Sequence, residues 1–250
     1  MNWKDLHGAA KSKSTASASV KGGGEAMNYQ IEPFIKNISG LAPSHIEDLR
    51  KSGLNDETIQ EAGLKSVPPR LINKILGFNA KIDSLLEIPY PGTDFSRYKL
   101  FPPLTNRDGD NIKYFQAKDS APRLYVPPGF DCTKKLWPIT EGEKKALKAT
   151  QDGLNCLGLG GIWNFATKNG NGQPELIPDL KNIPWKNKTV EIIPDADFKT
   201  KDHVKRAVYR FAKLLEAEGA TVFIVELPGA LKLDDICVSI PPPILRSFHA

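Results

Sequence analysis

The chain has 250 residues, 40% of them hydrophobic and 25% charged, which suits a globular protein with one large domain or two small ones and an ample core. Its formal charge of +5 is compatible with a nucleic-acid or nucleotide partner but does not require one. No apolar run reaches the ~18 residues a membrane helix needs. Three scattered cysteines, with no Cys-x-x-Cys pair, point to a reducing cytoplasm and away from a disulfide framework or zinc site.

Residues 1–28, rich in Ser, Ala, Lys and Gly without an apolar period, read as a disordered arm or a leader, with Met27 a candidate natural start. A helical hairpin region is expected over 29–84. Ser44 and Glu47 have the spacing of a capping box, Gly53 suits a helix end, Asn55 or Asp56 suits the next N-cap, and Gly63 ends that second helix. Neither short helix carries a basic face, so a structural lid is favoured over a DNA-docking helix-turn-helix. From 85 to 133 short aromatic segments broken by prolines (LLEIPYPG, RYKLFPP, NIKYFQAK, RLYVPPG) predict a small antiparallel sheet, with Asn106–Gly109 as a turn. Arg97, Lys113, Lys118 and Arg123 interleave there with Tyr98, Tyr114, Phe115 and Tyr125. That pattern suits either stacking on single-stranded nucleic acid or aromatics packed inside with lysines outside.

Over 134–240 strands alternate with helices: KLWPIT, EKKALKATQDG, NCLGLGG, a Gly/Asn-rich loop at 168–173, TVEIIPDAD, DHVKRAVYRFAKLLEAEG and TVFIVELPG. Such alternation predicts a parallel sheet covered on both faces, with ligands bound beyond the carboxyl ends of the strands. Residues 241–250 are left as a tail. Acidic groups fall at those strand ends: Glu141 in ITEGE, Asp195 and Asp197 in PDAD, and Asp234 and Asp235 in LKLDD. On an extended strand Asp195 and Asp197 would project to one face. Carboxylates brought together resist joint ionisation unless a cation or a proton neutralises them. An all-oxygen donor set selects Mg2+ or Mn2+ over zinc. The alternative is that the aspartates cap a helix and Glu141 serves a helix N-terminus. Lys144, Lys145 and Lys199 follow these acids closely enough to hold phosphates, or else are solvated helix faces. The GLGG at 158–161 is a weak phosphate-loop signal, and Trp163 reads as packing rather than as a base-stacking platform.

Residues 136–237, with Glu in ITEGE and Asp-x-Asp in PDAD, resemble a TOPRIM domain, the catalytic fold of bacterial-type primases, type IA and II topoisomerases and some nucleases. ITEGEKKALKATQDGLNCLGLGGIWNF is similar to the TOPRIM of phage primase-helicases. It is more similar to an uncharacterised family of plasmid and phage replication proteins, in which a helical segment like HIEDLRKSGLNDETIQEAG and a strand like RLYVPPG precede it. The resemblance covers roughly 40–237. It implies an α/β fold with a TOPRIM-type parallel sheet and primase-like nucleotidyl transfer, and it carries DNA cleavage or a non-catalytic binding module as alternatives. By position it makes Glu141 a general acid/base or metal contact, Asp195 and Asp197 metal ligands, and Asp234 or Asp235 an outer acid; Glu143 is a further acidic candidate. Apart from the resemblance, Lys113, Arg123, Lys144, Lys145 and Lys199 stand as candidate nucleic-acid or phosphate contacts by their places among the aromatics or beside the acids. Single-stranded DNA and nucleotides are the implied partners, with a replicative helicase on the same or another chain. Three departures stand out: Lys145 occupies the position of a second acid, Pro194 replaces an aliphatic residue, and no zinc ribbon or helicase segment is present in the sequence.

Overall fold

The computed structural model describes residues 40–227 and 231–239. The arm at 1–28 and the tail at 241–250 lie outside them. Helix α1 (Pro43–Lys51) opens with Pro43 in its first turn, and no side chain caps it. The expected Ser44–Glu47 capping box is therefore not formed. Proline presets the first helical φ and lacks an N–H that no intrahelical bond would have used. Glu47 instead pairs with Lys51 one turn on, at 2.8 Å. Helix α2 (Asp56–Glu61) is capped as expected, the Asn55 side chain accepting from the Thr58 N–H at 2.8 Å. Gly53 and Gly63 end the two helices at φ 73° and 64°, where a side chain would be strained.

Next come β1 (Lys65–Ser66), a 3-10 turn at Pro69–Leu71 and α3 (Ile72–Leu76). Strands β2 (Ser84–Pro89), β3 (Ser96–Thr105) and β4 (Asn111–Gln116) complete an antiparallel sheet in the order β1-β2-β3-β4. Asn106 closes the β3–β4 turn, its carbonyl Oδ1 accepting from the N–H groups of Asp108 and Asp110. The RLYVPPG segment leaves this sheet. Its strand β5 (Leu124–Tyr125) forms the antiparallel edge of the second sheet instead.

That second sheet is built from β6 (Leu136–Glu141), α4 (Glu143–Gln151) and β7 (Leu157–Leu159), then, after an excursion, from later strands. The excursion contains β8 (Ala166–Lys168) and β9 (Pro174–Leu176), a hairpin whose turn is the Gly/Asn-rich stretch expected to be a plain loop, followed by α5 (Pro178–Lys181). Strand β10 (Thr189–Ile193), a 3-10 turn at Ala196–Lys199, α6 (Asp202–Ala217), β11 (Thr221–Ile224) and α7 (Leu233–Ser239) complete the fold. The order is β11-β10-β6-β7-β5, parallel except for β5.

Both faces of this sheet are covered, which is why its strands read as apolar runs. On one face Val204, Ala207, Val208, Phe211 and Leu215 of α6 pack against Val190, Ile192, Phe165 and Trp185. On the other, α4 and α7 share a core with the helical hairpin and β2 through Leu49, Ile59, Leu86, Ile88, Leu147 and Ile236. Among the described residues, the hairpin, β2, β5 and α4 thus contribute to one core. Among the described residues no helix is long and apolar enough to cross a membrane.

Candidate active site

Glu141 ends β6, the central strand, and its backbone pairs with β7 at Leu159. The chain leaves the strand through Gly142, whose φ of 101° and ψ of 138° are accessible essentially to glycine alone, and α4 starts at once. The sharp turn expected at this glycine therefore exists, and the Gly142 N–H donates to the Leu159 carbonyl at 2.6 Å.

The two aspartates reach the site by a different route from the one predicted. Strand β10 stops at Ile193, Pro194 follows, and Asp195 is the residue before a 3-10 turn that contains Asp197. Strand alternation thus does not set their direction; a proline followed by a tight turn does. They nevertheless come near enough for their charges to act on Glu141. Burial pushes the Glu141 carboxyl above the usual carboxylate range. Lys145 opposes that shift, Asp195 and Asp197 both add to it, and a backbone hydrogen bond from Ile162 again works against it.

Two lysines stand among these carboxylates. Lys145 Nζ donates to Asp195 Oδ1 in a half-buried ion pair. Lys201 Nζ donates to Asp197 Oδ2 at 2.9 Å, one helical turn away and largely in solvent. Among the described residues no three His, Cys, Asp or Glu side chains are spaced to hold a metal ion. As a donor set, the three carboxylates fit a hard dication by charge and by ligand chemistry. As arranged, two of the three already have an ammonium partner.

The remaining expected site residues are distributed elsewhere. Glu143 faces away from Glu141 into the interior, where its carboxylate accepts from the Tyr90 hydroxyl at 2.7 Å and from Arg97 Nη1 at 2.6 Å. Burial works against the Arg97 charge, but Glu143 and Tyr90 beside it outweigh burial and hold its pKa above the ordinary value. Lys144 Nζ donates to Asp48 Oδ2 and Ser52 Oγ, both at 2.9 Å, and Lys99 pairs with the same aspartate. Asp234 sits in the first turn of α7, where its charge is felt by Tyr114 and Cys237. Asp235 Oδ2 accepts from the Lys232 N–H, a helix-capping contact. Lys199 lies 3.8 Å from Glu226, Lys113 is exposed on β4, and Arg123 pairs with Asp179 at 2.8 Å.

In the antiparallel sheet the aromatics are packed inward. Tyr98 and Phe115 pack against a core cluster and Arg97 lies over the Tyr114 ring at 5.1 Å, while Tyr125, on β5 of the second sheet, is fully buried. The GLGG run serves packing. A side chain on Gly158 would meet Ala146 of α4 at 3.0 Å, and one on Gly160 would collide with Arg97. The Gly160 carbonyl accepts from Arg97 at 2.6 Å. Sequence reasoning missed Tyr90 and Asp48 and the partner of Arg97, the contacts spanning 53, 96 and 46 residues. Lys201 had a signal, the i,i+4 spacing from Asp197.

The fold is one already known. The Aquifex aeolicus primase, solved as its zinc-binding and RNA polymerase domains, superimposes with a TM-score of 0.58 at 16% identity, over 82% of this chain and 55% of that one. What the two share is the fold. A family model described as a domain of unknown function (DUF3854) matches residues 135–239, the segment that carries all three carboxylates. An uncharacterized protein of Picosynechococcus sp. (strain ATCC 27264 / PCC 7002 / PR-6) is 36% identical over 110 residues, which is 40% of this chain. The chain spans about half the length of the solved primase and 11% of the cyanobacterial protein.

Proposed function

We propose that this chain carries the nucleotidyl-transfer site of a primase-like replication protein, making RNA primers on single-stranded DNA for a plasmid, phage or other mobile element. The observation that supports this reading most is that Glu141 and the Asp195–Asp197 segment lie at the carboxyl ends of two adjacent parallel strands of a primase-type fold. In this reading Asp195 and Asp197 would hold Mg2+ or Mn2+, which supplies charge neutralisation for a triphosphate and its attacking hydroxyl when bound.

The chain's own residues have definable parts in this reading. Glu141 is a proton carrier at its carboxyl oxygens, because burial stabilises its neutral form and brings its pKa nearer to neutrality. The Ile162 N–H orients that carboxyl. Lys145 and Lys201 hold Asp195 and Asp197 until a stronger cation or a phosphate-bearing ligand engages them. A nucleotide triphosphate offers both, an associated cation for the carboxylates and phosphate oxygens for the released lysines.

A second reading is favoured by the Lys145–Asp195 pair itself. A site whose own lysine already neutralises a ligand aspartate suits a non-catalytic nucleic-acid-binding module of a replication assembly. Incubation with single-stranded DNA, ribonucleotides and Mg2+ or Mn2+ separates the two. Short labelled products, lost in Asp195→Asn/Asp197→Asn, support synthesis. DNA binding without products, unchanged by Asp197→Ala, supports the module. Loss of supercoiled plasmid without nucleotides would replace both with cleavage.

A further inference from the structure

Of the described tryptophans, Trp137 and Trp185 are buried at 4% and 1% exposure, whereas Trp163 is 43% exposed. A lone exposed aromatic is ordinary on a protein surface. The place of this one is not. Strands β10 and β7 flank β6, so the segment Asp195–Lys201 and the loop after β7 border the Glu141 end on opposite sides. Trp163 is on that second loop, next to Ile162, whose backbone hydrogen bond reaches Glu141.

The loop is firmly held. The Gly160 carbonyl is fixed by Arg97, and the Asn164 N–H donates to the Gly161 carbonyl at 2.9 Å. The indole is backed from inside: Trp163 and Phe165 have centroids 6.3 Å apart with planes 24° from parallel. Phe165, fully buried, stacks in turn on Phe211 at 4.8 Å and 21°. The indole is thus the solvent end of a near-parallel three-ring stack anchored in the core.

We propose that Trp163 is a stacking platform for a nucleobase presented at the Glu141 site. Any base has a π-face to offer, so the platform would be tolerant of base identity. A free nucleoside triphosphate and a single strand supply the same chemistry. The inference rests on the reading that the site handles nucleic acid, but not on its being catalytic.

The full chain is titrated against a fluorescently labelled oligothymidylate and against an abasic strand of equal length and charge. Wild-type protein is expected to bind the strand with bases more tightly. Trp163→Ala should weaken that binding by roughly 5- to 150-fold and leave the abasic strand unaffected. Trp163→Phe should retain most of the affinity, which excludes misfolding as the cause. Quenching of the wild-type tryptophan emission by ATP would assign the base to a free nucleotide; quenching by the oligonucleotide alone would assign it to the strand. Equal affinity of wild type and Trp163→Ala for the oligothymidylate overturns the platform, as does a wild type that ignores bases or binds neither strand. Primer synthesis with an unchanged base preference in Trp163→Ala removes the platform and leaves the proposed function standing. Base-dependent stacking without synthesis does the reverse.

Discussion

Replacing Arg97 with Met tests whether the antiparallel sheet and the parallel sheet are joined by a buried charge. The Glu143 side chain is 1% exposed and Arg97 11%. Arg97 donates to Glu143 and to the Gly160 carbonyl, while Tyr90 makes the second bond to the carboxylate. Methionine fills most of the stem's volume but removes the charge and both donors, leaving a carboxylate in the core with a single neutral hydroxyl. Breaking one partner of a buried pair costs about 3–5 kcal/mol. At roughly 2–4 °C per kcal/mol for a body of this size, the melting temperature should fall by about 6–20 °C. Urea denaturation of wild type, Arg97→Met, Glu143→Gln and the double variant gives the coupling directly. The double variant should be more stable than Arg97→Met alone, because no charge is then left buried. An Arg97→Met protein within about 1 kcal/mol of wild type would refute the assignment of Glu143 to the interior and reopen it as an outer acid of the candidate site.

Acidification should destabilise the fold through His45. It is fully buried, its ring nitrogens lie 2.7 and 2.9 Å from the Ser66 and Ser84 hydroxyls, and burial lowers its pKa below 6.5. The unfolded chain then binds the proton more readily. The contribution of His45 is full above about pH 6.5 and is lost as pH falls through the lower folded value, so His45→Gln should flatten that part of a pH–stability curve. Of the three thiols, only exposed Cys132 should react promptly with a thiol reagent in the native state. Burial pushes Cys156 upward and Cys237 up to about 12, so both should label only on unfolding. Divalent metal should raise the melting temperature of wild type but not of Asp195→Asn/Asp197→Asn, and Lys145→Ala should increase the shift by freeing Asp195. An unchanged shift in Lys145→Ala would show that Lys145 and the metal do not compete.

What the sequence made legible was whatever depends on local pattern. Strands 136–141 and 189–193 and the α6 stripe follow from apolar periodicity, and Gly142 and Asn55 follow from backbone and capping chemistry. The sharing of one edge of the sheet by Glu141 and the Asp195–Asp197 segment was legible because a parallel sheet brings successive carboxyl ends together. Its mechanism was not, since alternation along a strand says nothing once Pro194 has ended the strand. Strand β5 was assigned to the wrong sheet for a related reason. A two-residue strand has too little pattern to name its partner, and its pairing with Gly158 and Leu159 is decided by packing. The partners of the lysines and of Glu143 were not legible, because charge on a helix does not reveal which side of the helix meets a partner.

That last point has a structural consequence at the start of α4. Successive helical residues are about 100° apart, so Glu143, Lys144 and Lys145 leave the axis in three directions. Each finds a partner in a different part of the molecule. Glu143 meets Arg97 of the antiparallel sheet, Lys144 meets Asp48 of the helical hairpin, and Lys145 meets Asp195 after β10. One helical turn therefore ties both N-terminal elements to the edge where Glu141 ends its strand. The hairpin and the small sheet are then not loose appendages to the parallel sheet. They fix the helix whose first turn supplies a cation to the site. Loss of Asp48 should thus be felt at Asp195 through α4, whereas loss of an exposed pair such as Lys181–Glu175 should not.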